Sequence, residues 1–196
     1  MNVDKYSDLL EKLALRMDDN RLKHTISVAE TASILANKYD ASIDKAYIAG
    51  LLHDNAKCKS NDELIKECEL FNIEIRGPER QNPFLLHGKL GAYYAVNEFG
   101  ISDEDIINAI TWHTTGRPGM SLLEKIVFVA DYIEPLRYKQ KNLEDIRRLA
   151  YENIDKCVYV ISKDTIEYVS DQAFGLDEMT IRTMEFYKEI CEDENE

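Results

Sequence analysis

Apolar residues return every three or four positions along almost the whole chain, and the two-residue alternation of a half-buried strand is hard to find anywhere. That periodicity makes an all-α fold the expectation. Only 8 Gly and 4 Pro interrupt 196 residues, which suits long elements and few tight turns. A chain of this length fits one domain and buries a core without needing disulfides or structural metal. The spacing predicts helices near 4–17, 20–38, 42–55, 60–70, 85–98, 102–113, 121–133, 142–169 and 177–192, with 72–84 the least regular stretch.

Several helix starts carry their own chemistry. Ser60 with Glu63, and Ser121 with Glu124, match the capping box, in which each side chain satisfies the other residue's orphan backbone N–H. Ser102 before DED and Asn142 before LED are the expected N-caps of two more helices, with acid in the first turn where the helix dipole favours it. Pro135 should end the helix containing IVFVADYI.

The net charge of −13 repels phosphate backbones, so general binding to nucleic acid or to an anionic membrane is not expected. A small polyanion remains compatible if metal ions and a few basic side chains reverse the sign locally. Cys58, Cys68, Cys157 and Cys191 have neither Cys-x-x-Cys spacing nor the density of a disulfide scaffold, and read as thiols in a reducing cytoplasm. MNVDKYSDLL contains no apolar signal core, and the apolar run 126–133 is too short to span a bilayer and is interrupted by Asp131. The acidic tail CEDENE reads as a solvated end. Oligomeric state has no signature here, and a homodimer is left open.

All four histidines stand near a helix end or on an inward face. His24 lies one turn into RLKHTISVAETASILA, His53 ends AYIAGLLHDNAK, His87 opens LLHGKLGAYYAV and His113 closes IINAITWHT. Two aspartates, Asp54 and Asp131, sit in apolar helix segments, where an uncompensated carboxylate is costly. Imidazole nitrogen with carboxylate oxygen is a donor set for borderline metals, and helical bundles build such sites from inward side chains on facing helices. Packing or capping explains any one of these positions as well as ligation does. All six together would need six separate explanations.

The order His24, His53-Asp54, His87, His113, Asp131 resembles the HD-domain superfamily of metal-dependent phosphohydrolases in its two-metal form. HTTGRPGMSLLEKIVFVADYIEP, with LLHDNAK, is similar to the YqeK family, and the similarity runs over about 21–137. The resemblance implies a single-domain helical bundle of the HD type over 1–196, with its core at about 18–138 and C-terminal helices over 139–196. It implies symmetrical cleavage of a small nucleotide substrate, diadenosine tetraphosphate, to two ADP. It also implies two metal ions, iron by family habit, although the donor set suits manganese, cobalt, nickel or zinc as well. Carried over residue by residue, His24, His53, Asp54 and Asp131 hold one metal, and Asp54 bridges to a second held by His87 and His113.

Asp54 and Lys57 are the candidate catalytic residues, Lys57 falling one helical turn after Asp54. The candidate substrate contacts are His24, Lys57, His87, His113, Arg117, Tyr132 and Arg137. Either arginine could take phosphate bidentately, with surface ion pairing the competing explanation. Tyr132, Trp112 and Phe174 could stack on a base, though core packing explains each better. Glu30 is six residues from His24, off its face, and reads as structural. The alternatives are another HD activity, such as a nucleotidase, and a non-catalytic nucleotide-binding module. A cyclic-dinucleotide phosphodiesterase of the HD-GYP branch should carry Gly-Tyr-Pro, which is absent.

Overall fold

The computed structural model describes residues 6–138, 140, 142–170 and 176–193. It is all-helical, with no strand among the described residues. The helices are α1 (Ser7–Ala14), α2 (Asp19–Lys38), α3 (Ile43–Leu52), α4 (Asn61–Leu70), α5 (Gly77–Gln81), α6 (Leu86–Asn97), α7 (Glu104–Trp112), α8 (Leu122–Ile133), α9 (Leu143–Glu152), α10 (Ile154–Ser170) and α11 (Glu178–Asp193), with a 3-10 turn at Pro83–Leu85. None is long and apolar enough to cross a membrane.

The core is built by α2, α3, α6, α7 and α8. Helix α2 packs on α3 and α8, and α7 packs on α3, α6 and α8. Helix α10 covers α8 from outside and pairs with α9 and α11. Leu35, Leu51, Leu52, Leu90, Ile110 and Ile126 are fully buried between these helices. Burying side chains of this size contributes about 1.5–3 kcal/mol each.

Two glycines set the closest approaches. A Cβ on Gly50 of α3 would lie 2.6 Å from the Ala29 Cα of α2, and a Cβ on Gly88 of α6 would lie 2.6 Å from the Thr111 carbonyl oxygen of α7. Backbone cannot yield as a side chain tip can, so only glycine allows these contacts. The first brings the helix of His24 against that of His53. The second brings the helix of His87 against that of His113.

Both predicted capping boxes form, at Ser60–Glu63 and Ser121–Glu124. Helix α8 stops at Ile133, just before Glu134 and Pro135. Three local expectations change. Asp103, not Ser102, caps α7, accepting from the Asp105 and Ile106 N–H groups, because a carboxylate there reaches two orphan donors. Asn142 stands at the start of α9 in the left-handed region and makes no side-chain cap bond. The single helix expected over 142–169 is two helices, because Asn153 is extended and its Oδ1 accepts from Lys156 N–H, starting a new helix rather than continuing the old. Within 72–84, α5 forms around Pro78 in its first turn, and buried Glu79 is held by Arg76 and Lys89.

Candidate metal centre

Each histidine is oriented by its Nδ1. His53 donates to the Gly50 carbonyl at 2.7 Å, His113 to the Ile110 carbonyl at 2.7 Å, and His87 to the Phe84 carbonyl. A carbonyl only accepts, so these three rings carry the proton on Nδ1 and turn the Nε2 lone pair away from it. All three carbonyls lie three residues earlier, a spacing the last or first turn of a helix supplies for nothing more than its own geometry. His24 differs: its Nδ1 lies 3.1 Å from Glu134 Oε1.

The four Nε2 atoms converge on Asp54, which is 2% exposed. Its Oδ2 is 3.3 Å from His53 Nε2 and 3.7 Å from His24 Nε2. Its Oδ1 is 3.3 Å from His87 Nε2 and 3.4 Å from His113 Nε2. Asp131 Oδ1 completes the first side, 3.0 Å from His24 Nε2 and 3.8 Å from His53 Nε2. The carboxylate of Asp54 therefore has one oxygen facing each pair of histidines. All six expected residues are brought together.

The atoms fit a cation better than they fit one another. His24 Nε2, His53 Nε2 and Asp54 Oδ1 are buried without a hydrogen-bond partner, and each such atom costs about 1–3 kcal/mol if nothing binds it. His87 Nε2 and His113 Nε2 stand 2.9 Å apart, so two lone pairs face each other. Two ligand groups have metal-compatible spacing: His24, His53 and Asp131, and His53, Asp54 and His113. Nitrogen and carboxylate oxygen in this mixture suit a borderline divalent or trivalent metal.

The electrostatics point the same way. Burial pushes the Asp54 carboxyl up, but His53, Lys57 and His113 outweigh it and hold the group well below the usual range. Asp131 is likewise driven up by burial and brought far down by His24 and Arg137. Burial, helped by the Lys57 ammonium, lowers His87 to about 3, and burial lowers His113. These are the deprotonated states that ligation requires. Burial also lowers His53, but the Asp54 charge dominates and raises it; a cation beside Asp54 would remove that pull.

Three basic side chains sit on the cluster. Lys57 Nζ is 3.0 Å from His87 Nε2, 3.7 Å from Asp54 Oδ1 and 3.8 Å from the centre of the Phe84 ring. Arg137 donates to the Asp131 carbonyl and, at 2.6 Å, to its Oδ1. Arg21 donates to Asp54 Oδ2. Arg21 escaped the sequence reading, although it lies one turn before His24 on the same face. Glu134 and Thr114, whose Oγ1 lies 3.2 Å from His87 Nε2 and 3.1 Å from His113 Nε2, also escaped it.

The two other expected contacts each face a carboxylate outside the six-residue cluster. Arg117 is held by buried Glu124 through both Nε and Nη2. The Tyr132 hydroxyl is directed at Asp164, 3.5 Å away, and is pushed up to about 12, mainly by burial. Trp112 is half-buried, Glu30 is exposed, and Phe174 lies outside the described residues. An open cavity of about 700 Å³ adjoins the cluster and is lined by Arg21, Lys23, His24, Arg137 and Tyr138, among others. A cavity of about 720 Å³ near Arg16, Lys59 and Tyr94 contains none of the six residues, so size alone does not mark the site.

Comparison with known proteins agrees with this geometry. Residues 21–136 match the HD domain. The chain is 36% identical over 195 residues to "Bis(5'-nucleosyl)-tetraphosphatase, symmetrical" of Staphylococcus aureus, covering 95% of each protein. It is 42% identical over 164 residues to the protein of the same name from Halalkalibacterium halodurans, covering 82% of this chain and 84% of that one. The crystal structure of a "predicted HD superfamily hydrolase involved in NAD metabolism" from Clostridium acetobutylicum superposes with a TM-score of 0.91 at 38% identity, covering 94% of this chain and 97% of that one.

Proposed function

Because the chain belongs to the HD-domain family, we propose that it is a metal-dependent hydrolase that cleaves diadenosine tetraphosphate symmetrically to two ADP, as the names of its relatives indicate for them. The observation that carries the reading is the two-sided Asp54 carboxylate, with His24 and His53 toward Oδ2 and His87 and His113 toward Oδ1. In this reading His24, His53, Asp54 and Asp131 hold one metal, and Asp54, His87 and His113 hold the other. We assign iron as the metal on the resemblance alone; the donors themselves would accept manganese, cobalt, nickel or zinc.

When bound, such a metal pair supplies Lewis acidity, polarising phosphoryl oxygens and lowering the pKa of water. The chain's own residues supply position and charge, which is most of what phosphoryl transfer asks of a protein. Arg21 and Arg137 line the cavity beside His24 and would bind phosphate oxygens there. Lys57 lies on the other face of Asp54, beside His87, and would bind phosphate as a point charge. Cations on both faces of Asp54 suit a substrate with phosphates on both sides of the bond to be cut. They also give a local positive field to a chain of net charge −13. Asp54 and Asp131, held ionised, would not compete for substrate protons. The buried thiols Cys68 and Cys157 fit a reducing compartment, and we place the enzyme in the cytoplasm.

The test is a product assay. Metal-replete protein given diadenosine tetraphosphate should release ADP alone. AMP with ATP would refute the symmetrical cut. No turnover of any nucleotide by metal-loaded protein would favour a binding module instead.

A further inference from the structure

His53, His87 and His113 rest their Nδ1 on backbone carbonyls, whereas His24 rests on the side chain of Glu134. Glu134 is 1% exposed and stands immediately after α8, 110 residues along the chain from His24. Its Oε1 faces His24 Nδ1 at 3.1 Å, and its Oε2 accepts from Ser27 Oγ at 2.7 Å and from the Leu136 N–H at 2.6 Å. Ser27 and His24 are neighbours on one face of α2, so α2 and the α8 terminus grip this carboxylate from two directions. The Glu134 carbonyl in turn accepts from Arg137 N–H at 3.0 Å and from Arg147 Nη2 at 3.0 Å.

We propose that Glu134 is a positioning residue that makes the two halves of the metal centre unequal. Its carboxylate fixes the His24 proton on Nδ1, aims Nε2 at Asp131 and Asp54, and makes His24 a stronger donor than the three histidines backed by neutral carbonyls. A carboxylate behind a ligating histidine raises the basicity of the ring, and its loss typically costs about 10–100-fold in metal affinity. The side containing His24, His53 and Asp131 is therefore the tighter one. The same residue couples that side to substrate binding, because the turn it holds carries Arg137, whose guanidinium reaches Asp131. This inference rests on the reading of the cluster as a metal centre.

The test uses the full chain stripped of metal and titrated with cobalt(II), following ligand-field absorption for each equivalent, together with thermal melts of the metal-free protein. Glu134→Gln keeps the shape and removes the charge. The expected result is a loss of about 10–100-fold in affinity for the tighter equivalent, with the weaker equivalent unchanged and a shifted absorption band for the first. A merely structural glutamate would lower the melting temperature and leave both affinities alone, and that result overturns the proposal. If Glu134→Gln does not fold, Ser27→Ala removes one of the bonds that hold the carboxylate at a half-buried position. It should weaken the same equivalent by a few-fold, and unchanged binding again overturns the proposal. If the wild-type chain takes up no metal, the proposed function falls with it; if wild type binds and the variants bind equally, only the role of Glu134 falls.

Discussion

Arg21 Nη1 donates to Asp54 Oδ2 across 2.6 Å, so a side chain one turn upstream of the first histidine rests on the carboxylate at the centre of the cluster. The partner is buried and the arginine is only partly so. A cation at the mouth of a site and bound to its innermost acid is placed to meet an incoming anion. Arg21→Ala should raise KM for diadenosine tetraphosphate and lower kcat/KM by about 10–100-fold, the loss of one or two charge-assisted hydrogen bonds at about 1.5–3 kcal/mol. Metal content should stay at the wild-type level. Arg21→Lys should recover only part of the loss, since an ammonium cannot reproduce the planar fork. Loss of metal in either variant, read by elemental analysis, would assign Arg21 to the centre's structure instead.

Asp54→Asn keeps the side chain's shape and removes the charge to which four Nε2 atoms and two cations are directed. Activity should vanish and bound metal should fall for both equivalents, because both faces of the carboxylate are affected. A variant with full metal content would contradict a bridging role.

Lys57→Ala separates substrate binding from metal binding. The lysine approaches His87 and Asp54 but contributes no ligand atom, and its burial lowers its own pKa despite the nearby Asp54 charge. Turnover should drop by about 10²–10³-fold, the range for removing one aimed donor, while metal content changes little. A parallel loss of metal would show that Lys57 holds the cluster together.

The sequence carried the six central residues because each stands at a helix end or on an inward face, which periodicity exposes. It carried the stop before Pro135 and both capping boxes because those depend on residues three or four apart. Periodicity did not carry the pairing of the histidines across Asp54, which only the family resemblance implied; side-chain torsions and two glycine contacts, α3 on α2 and α6 on α7, set it. Glu134 was invisible because its partner, His24, stands 110 residues away in the sequence and only folding brings the two together. The break at Asn153 was missed because the apolar spacing runs straight through it, and only the asparagine's capping bond to Lys156 N–H resolves the two helices. Arg117 sits near His113 in sequence, and Glu124 holds its guanidinium, the ion pairing that the sequence left open beside phosphate binding.

Gly88→Ala tests how the histidine pairs are set. The new Cβ would press on the Thr111 carbonyl oxygen at 2.6 Å, forcing α6 away from α7. Overpacking of this kind costs about 1–3 kcal/mol, read by urea unfolding of the metal-free protein. The displacement should also separate His87 from His113 and weaken the metal equivalent they serve, leaving the other intact. Unchanged binding at both equivalents would mean that the helix contact does not set the ligand spacing.

Acid stability should reveal Glu79, which lies away from the metal cluster. The residue is buried within α5, where Arg76 contributes Nη2 at 2.8 Å and Lys89 its ammonium at 2.8 Å. Burial drives its carboxyl up, but the two cations prevail and its pKa falls below the ordinary 4.5. A folded-state pKa below the unfolded one contributes stability that is fully present above about pH 4.5 and is lost as pH falls through the folded value. Glu79→Gln should therefore destabilise the metal-free protein by about 1.5–3 kcal/mol at pH 7, the scale of hydrogen bonds to a charged group. The gap between the two proteins in urea midpoints should then close as the pH is lowered below 4.5. A gap that stays constant down to acid unfolding would show that packing at Glu79, and not its charge, provides the stability.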